Sequence, residues 1–164
     1  MPAKKLESSE EIEKRALAKE VTEDEDFSTF IINAVTDGIH AFDRDLNYVI
    51  WNPGMEKITG KSAKEVLGKR AFDVFPYLLQ NGREKHYLGT LQGESSVALE
   101  APIVHSPSGS TRYVKSTYKP LRDEMGTIVG GLAIVRDSTD QHHIMKELKK
   151  LKEHLSQVIK DGEF

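Results

Sequence analysis

The sequence predicts an α+β domain: a five-stranded antiparallel sheet with short helices over one face, and a helix at each end. Three observations carry this. Residues 95–104, 111–121 and 127–137 are long β-prone runs separated by the turn chemistry Ser106-Pro107-Ser108-Gly109 and Asp123-Glu124-Met125-Gly126, so they form an antiparallel meander. Two shorter apolar runs, 39–43 and 46–51, flank Asp43-Arg44-Asp45 and read as a hairpin. Between these β regions, Trp51-Asn52-Pro53-Gly54-Met55-Glu56-Lys57-Ile58-Thr59-Gly60 and Lys61-Ser62-Ala63-Lys64-Glu65-Val66-Leu67-Gly68-Lys69 give two short helices, each stopped by a glycine.

The elements follow in order. Residues 1–21 are rich in Lys, Glu and Ala and favour helix by propensity. Leu6, Ile12, Ala16, Leu17 and Val21 form only a weak apolar stripe there, so this extension is a helix needing a partner or a solvated tail. Thr22-Glu23-Asp24-Glu25 reads as a capping box opening a second helix. Phe27, Phe30, Ile31, Ala34 and Val35 then recur at helical spacing, which predicts one face docked on a core and an end near Asp37-Gly38. Asn52 is a good N-cap and Pro53 a good first helical residue. A turn-like piece at 72–77 is stopped at Pro76, and a longer helix over 83–91 by Gly93. The last strand is apolar on both faces and should be central, with Gly130-Gly131 admitting a close neighbour or marking a bulge. Beyond Asp137, Ile144, Leu148, Leu151, Leu155 and Val158 are spaced 4, 3, 4, 3, the seam of a coiled coil too short to stand alone. The chain thus divides into an extension at 1–21, a domain at 22–140 and an amphipathic helix at 141–164.

Composition narrows the function. The chain has 164 residues, enough for one domain, and is 38% hydrophobic, with the apolar deficit at its two ends. A net charge of -3 argues against direct nucleic-acid binding, which needs a basic face. With no cysteine there is no disulfide, thiolate metal site or cysteinyl adduct. No apolar run reaches the roughly 20 residues that span a bilayer, and no signal-peptide pattern opens the chain, so a cytoplasmic location is expected. Gly162-Glu163-Phe164 reads as the end of a cloned fragment, and the natural chain is expected to continue.

The motifs in this order resemble the PAS domain family over roughly residues 27–140. They are Asn52-Pro53-x-x-Glu56-x-Ile58-Thr59-Gly60, Ser62-x-x-Glu65-Val66-Leu67-Gly68-Lys69, Leu91-x-Gly93-Glu94, Gly109-Ser110-x-Arg112-Tyr113-Val114, Pro120-Leu121-Arg122-Asp123-x-x-Gly126-x-Ile128-x-Gly130 and Arg136-Asp137-Ser138-Thr139-Asp140. Lys61, where the family has an aromatic, and Ser138, where it has an aliphatic, depart from the pattern. The resemblance implies a sensor module of a signalling protein such as a histidine kinase. It implies a ligand, or none, between sheet and helices, a homodimer through flanking helices, and an output domain beyond the exit helix.

Candidate sites follow. Met55, Ile58, Phe72, Phe75, Leu88 and Leu91 from the helices, with Val97, Leu99, Val114, Tyr118, Leu132 and Ile134 from the sheet, would line a mostly apolar chamber, or simply form the core. Tyr118, Tyr113 or His40 would be its polar anchors. Within the resembled exit motif, Asp137 and Thr139 tie the last strand to the exit helix. Ser138 or Thr139 would cap that helix, with Asp137 and Asp140 favouring its positive end. Haem is not expected: the ligand position of haem-binding relatives falls nearer Gly82 than His86. The flavin adduct of light sensors needs a cysteine, and non-covalent flavin is not expected either. His105 reads as a turn residue, and His142, His143 and His154 as exposed positions on the exit helix rather than phosphoacceptors. Asp43, Asp45 and the run 23–26 read as turn and cap residues, and no catalytic constellation is visible, so the fragment itself is not expected to be an enzyme.

Overall fold

The computed structural model describes residues 8–105 and 108–162; the turn residues Ser106 and Pro107, and Leu6 of the N-terminal stripe, lie outside them. Helix α1 (Ser9–Ala34) forms one compact unit, and everything from Thr36 onward a second. The second unit runs β1 (Gly38–Asp43), β2 (Tyr48–Trp51), α2 (Pro53–Thr59), α3 (Ala63–Val66), α4 (Ala71–Val74), α5 (Tyr77–Gln80), α6 (Glu84–Leu91), β3 (Ser96–Val104), β4 (Thr111–Arg122), β5 (Ile128–Asp137) and α7 (Thr139–Asp161). The sheet is antiparallel throughout, in the order β2-β1-β5-β4-β3, with the last strand central as its composition requires.

Helix α1 differs from its sequence reading in two ways. It begins at a capping box of Ser8 and Glu11 and runs unbroken through Thr22, because no glycine or proline interrupts 9–34. Its apolar stripe is exposed: Phe27 is 63% exposed and Phe30 70%, with Ile31, Ala34 and Val35 also exposed.

The strand-to-helix corner after β2 is built by Asn52, which is fully buried. Its Oδ1 accepts the Ile39 N–H at 2.7 Å and the Met55 N–H at 3.0 Å, while Nδ2 donates to the Asp37 carbonyl at 3.0 Å. One side chain thus caps α2 and fastens it to the start of β1. Gly60 ends α2 in the left-handed region at φ 75°. Trp51 Nε1 then donates to the Lys61 carbonyl at 3.0 Å. Lys61 serves this contact through its backbone, so the departure from the family's aromatic leaves the corner intact. Glu56 accepts the Ala63 N–H at 2.7 Å, and Ser62 with Glu65 boxes the start of α3.

Gly130 and Gly131 sit where β5 crosses Phe42. A Cβ on Gly130 would meet the Phe42 carbonyl oxygen at 2.1 Å, and one on Gly131 the Phe42 ring at 2.3 Å. The close approach read from the glycine pair is therefore real. The core lies between one face of the sheet and α2–α6, and its largest fully buried side chains are Tyr48, Tyr87, Tyr118 and Phe42.

Candidate functional site

The chamber between sheet and helices is real but nearly filled. Its free volume is about 30 Å³, room for a water molecule or two. Of the twelve candidates, Met55, Ile58, Phe75, Val114 and Tyr118 line it, and Phe72 is buried in the same core with Leu91 packed at its margin. The other five expected lining residues point elsewhere. Val97 and Leu99 are 64% and 85% exposed, Ile134 and Leu88 are 41%, and Leu132 is only half-buried.

For the four on strands, the reason is strand parity. On β5 Gly131 faces the Phe42 ring, so Ala133 and Val135 share the inner face and Leu132 and Ile134 take the outer one. On β3 the register slips: Ala98 pairs with Ser116 but Ala101 with Val114, one extra residue against β4. This β-bulge lets Ala98 and Ile103 both face inward despite odd spacing, and turns Val97 and Leu99 outward.

The polar lining was only partly anticipated. Ring nitrogen Nε2 of buried His40 lies 3.5 Å from the Tyr87 hydroxyl, itself 3.1 Å from the Tyr48 hydroxyl. His40 Nδ1 has no partner among the described residues. Burial first, then the nearby Arg83 charge, pulls the His40 pKa down to about 3, so the ring is neutral. Burial likewise raises the pKa of Tyr48, Tyr87 and Tyr118.

Arg83 was missed by sequence reasoning. It stands at the start of α6, only 4% exposed, and reaches into the chamber. Nη1 donates to Ser116 Oγ at 2.7 Å, and Nη2 to the Val114 carbonyl at 3.1 Å and the Leu99 carbonyl at 3.4 Å. His86 lies outside, its ring stacked on Tyr118 and Nδ1 2.8 Å from Ser96 Oγ.

The second region is the junction from β5 into α7. The Asp137 carboxylate accepts the Thr139 N–H at 2.9 Å and also its hydroxyl, and it pairs with Arg112 at 2.9 Å. Thr139 Oγ1 in turn accepts the Tyr113 N–H at 3.0 Å. Burial raises the Asp137 pKa, but the Thr139 hydrogen bonds and Arg112 outweigh it and the net shift is downward. Ser138 is buried and makes no side-chain cap: its hydroxyl reaches Glu100 on β3 at 2.6 Å and the Tyr113 carbonyl at 3.2 Å. The substitution of serine for an aliphatic thus serves a polar link.

His142 corrects the expectation of an exposed position. It is half-buried, its ring stacked 3.5 Å from that of Tyr113, with Nδ1 2.6 Å from Glu100 Oε1. Ser138 first, and His142 second, hold the Glu100 carboxyl below its ordinary pKa. Asp140, His143 and His154 are exposed, as is the whole seam of Ile144, Leu148, Leu151, Leu155 and Val158, each more than half exposed. An open groove of about 1260 Å³ separates the seam's first residues from Leu99 and Lys115 on the outer sheet face.

Comparison with known proteins agrees with this architecture. The family described as "PAS fold" matches residues 32–143. The chain therefore belongs to the PAS domain family, whose members are generally sensory rather than catalytic modules. It is 32% identical over 120 residues to the methanogenesis regulatory histidine kinase FilI of Methanothrix harundinacea, covering 73% of this chain but only 13% of that protein. Among solved structures, a PAS domain from Colwellia psychrerythraea superposes with a TM-score of 0.59 at 23% identity, covering 70% of this chain and 97% of the other. The PAS domain of an HTR-like protein from Haloarcula marismortui gives 0.57 at 21% identity, covering 75% and 98%. These two likenesses establish the fold alone. No helix among the described residues is long and apolar enough to cross a membrane.

Proposed function

We propose that the chain is a cytoplasmic sensory and dimerisation module that relays a signal from its chamber through α7 to a histidine kinase output beyond this chain. The observation that carries the reading is the junction. The first turn of α7 is hydrogen-bonded to β3, β4 and β5 at once, and an exposed heptad seam follows directly. A displacement of the sheet would therefore reach the seam without slack. The kinase output is supported by the likeness to a histidine kinase whose length far exceeds this chain. The seam supports a homodimer, since apolar residues at this spacing are buried when two copies pair.

The absence of cysteine makes the test clean. Leu151→Cys should give a disulfide-linked dimer under mild oxidation, and Glu153→Cys, on the opposite side of the helix, should not. A monomer at high micromolar concentration in analytical ultracentrifugation would end the dimer half of the reading.

The small chamber favours a second reading, a ligand-free interaction module. Native mass spectrometry separates the two, because a co-purified small molecule supports sensing. A haem or flavin would need several hundred Å³, far more than the chamber's 30 Å³. A preparation without visible absorbance would remove that alternative.

A further inference from the structure

We propose that the chamber takes a small organic monocarboxylate, anchored by the guanidinium of Arg83; this rests on the reading of the chamber as a ligand site. Arg83 is buried, yet no carboxylate among the described residues pairs with it. All its hydrogen bonds go to neutral acceptors, the Ser116 hydroxyl and the Val114 and Leu99 carbonyls. Its Nε is buried with no partner among the described residues. A buried cation is costly unless an anion compensates it, and the planar guanidinium fork matches a carboxylate in shape and charge.

A second, independent observation points into the same chamber. His40 Nδ1 is buried and unpartnered among the described residues, on a neutral ring beside the Tyr87 hydroxyl. A neutral imidazole adds a polar contact without adding charge, so Arg83 sets the preference for a single negative charge. The other walls, including Trp51, Phe75 and Ile103, are apolar and suit a compact hydrocarbon body. With room for only a water molecule or two, even acetate requires the lining side chains to shift, and an aryl body requires the four-residue helix α5 to yield.

The backbone links this anchor to the exit junction. Arg83 holds the carbonyl of Leu99, and the next residue, Glu100, holds Ser138 and His142. A carboxylate that draws Arg83 from Leu99 would loosen the bulge at the residue that grips α7.

Trp51, the single tryptophan, lines the chamber and reports binding by fluorescence, with calorimetry alongside. The probes are acetate against acetamide, benzoate against benzamide, and inorganic phosphate. In the wild-type chain at least one acid should bind tenfold or more tightly than its amide, and more tightly than phosphate. Arg83→Met should reduce that ratio to about one, while Arg83→Lys, which keeps the charge but not the fork, should retain part of it. The wild-type ratio needs no variant, so a misfolded Arg83→Met leaves the test standing. Acids no tighter than amides, or a ratio unchanged in Arg83→Met, overturn the anchor while amide binding keeps the chamber a ligand site. Tighter phosphate overturns the carboxylate class. No binding of any probe, with no co-purified molecule in native mass spectrometry, overturns the proposal and the ligand reading together.

Discussion

Two corners of this domain turn a strand into a helix with the same device and in opposite surroundings. At the β2–α2 corner, Asn52 accepts two backbone N–H groups and donates to a carbonyl, neutral and wholly buried. At the β5–α7 corner, Asp137 accepts the Thr139 amide and hydroxyl and an Arg112 guanidinium, charged and about a third exposed. A buried neutral corner has no cheap alternative state, because each lost bond strands a desolvated group. A charged corner at the surface can exchange its partners for water at little cost. The first is suited to hold a wall, and the second to pass on a change.

Acid separates the corners most strongly. His40, paired with Trp51 in the β1–β2 ladder beside the first corner, has its pKa depressed to about 3. The unfolded chain takes up a proton below pH 6.5 that the folded chain refuses, so the stability is intact above 6.5 and lost as pH falls toward 3. The loss over that window should be several kcal/mol, on the order of 1.4 per pH unit. Thermal melts of His40→Leu, which cannot titrate, should lack this slope.

Next in size, Asn52→Ala should cost about 3 kcal/mol in urea unfolding, because it strands the buried Met55 amide and the half-buried Ile39 amide. A loss under 1 kcal/mol would put the first corner on a par with the second. Asp137→Asn should cost about 1 kcal/mol at neutral pH, reduced by solvent screening. Because the folded carboxyl titrates below its ordinary 3.8, that difference is fully present above about pH 5 and vanishes as pH falls through the lowered value. Melts of both chains down the pH scale check this. Smallest is Arg136→Ala: its pair with Asp37 at 3.0 Å is largely exposed, and no resolvable change in melting temperature is expected.

The first corner was legible because its information is local. Asn52, Pro53 and Gly60 carry cap, first turn and stop within nine residues, and each acts as its type requires. The β5–α7 corner was half legible: Asp137 and Thr139 could be placed from the resembled motif, whereas Glu100 and His142 join it across the sheet. The one available clue was Ser138, a polar residue in an aliphatic position. The chamber failed at parity. Leu132 and Ile134 are more apolar than Ala133, yet the alternation that turns Gly131 toward the Phe42 ring puts Ala133 on the inner face and both of them on the outer one. Likewise no run of apolar letters announces the extra residue in β3, and Arg83 gives no local sign that its charge is buried.

That extra residue in β3 has an engineering consequence. A regular strand is a poor wire, since adjacent residues face opposite sides and a disturbance on one face is averaged over the ladder. The insertion places one peptide unit between two contacts, with the Leu99 carbonyl on the Arg83 side and the Glu100 carboxylate on the α7 side. Removing one residue from it would give a tidier sheet and part the Arg83 contact from the Glu100 contact, and on the proposed relay that deletion uncouples chamber from exit helix.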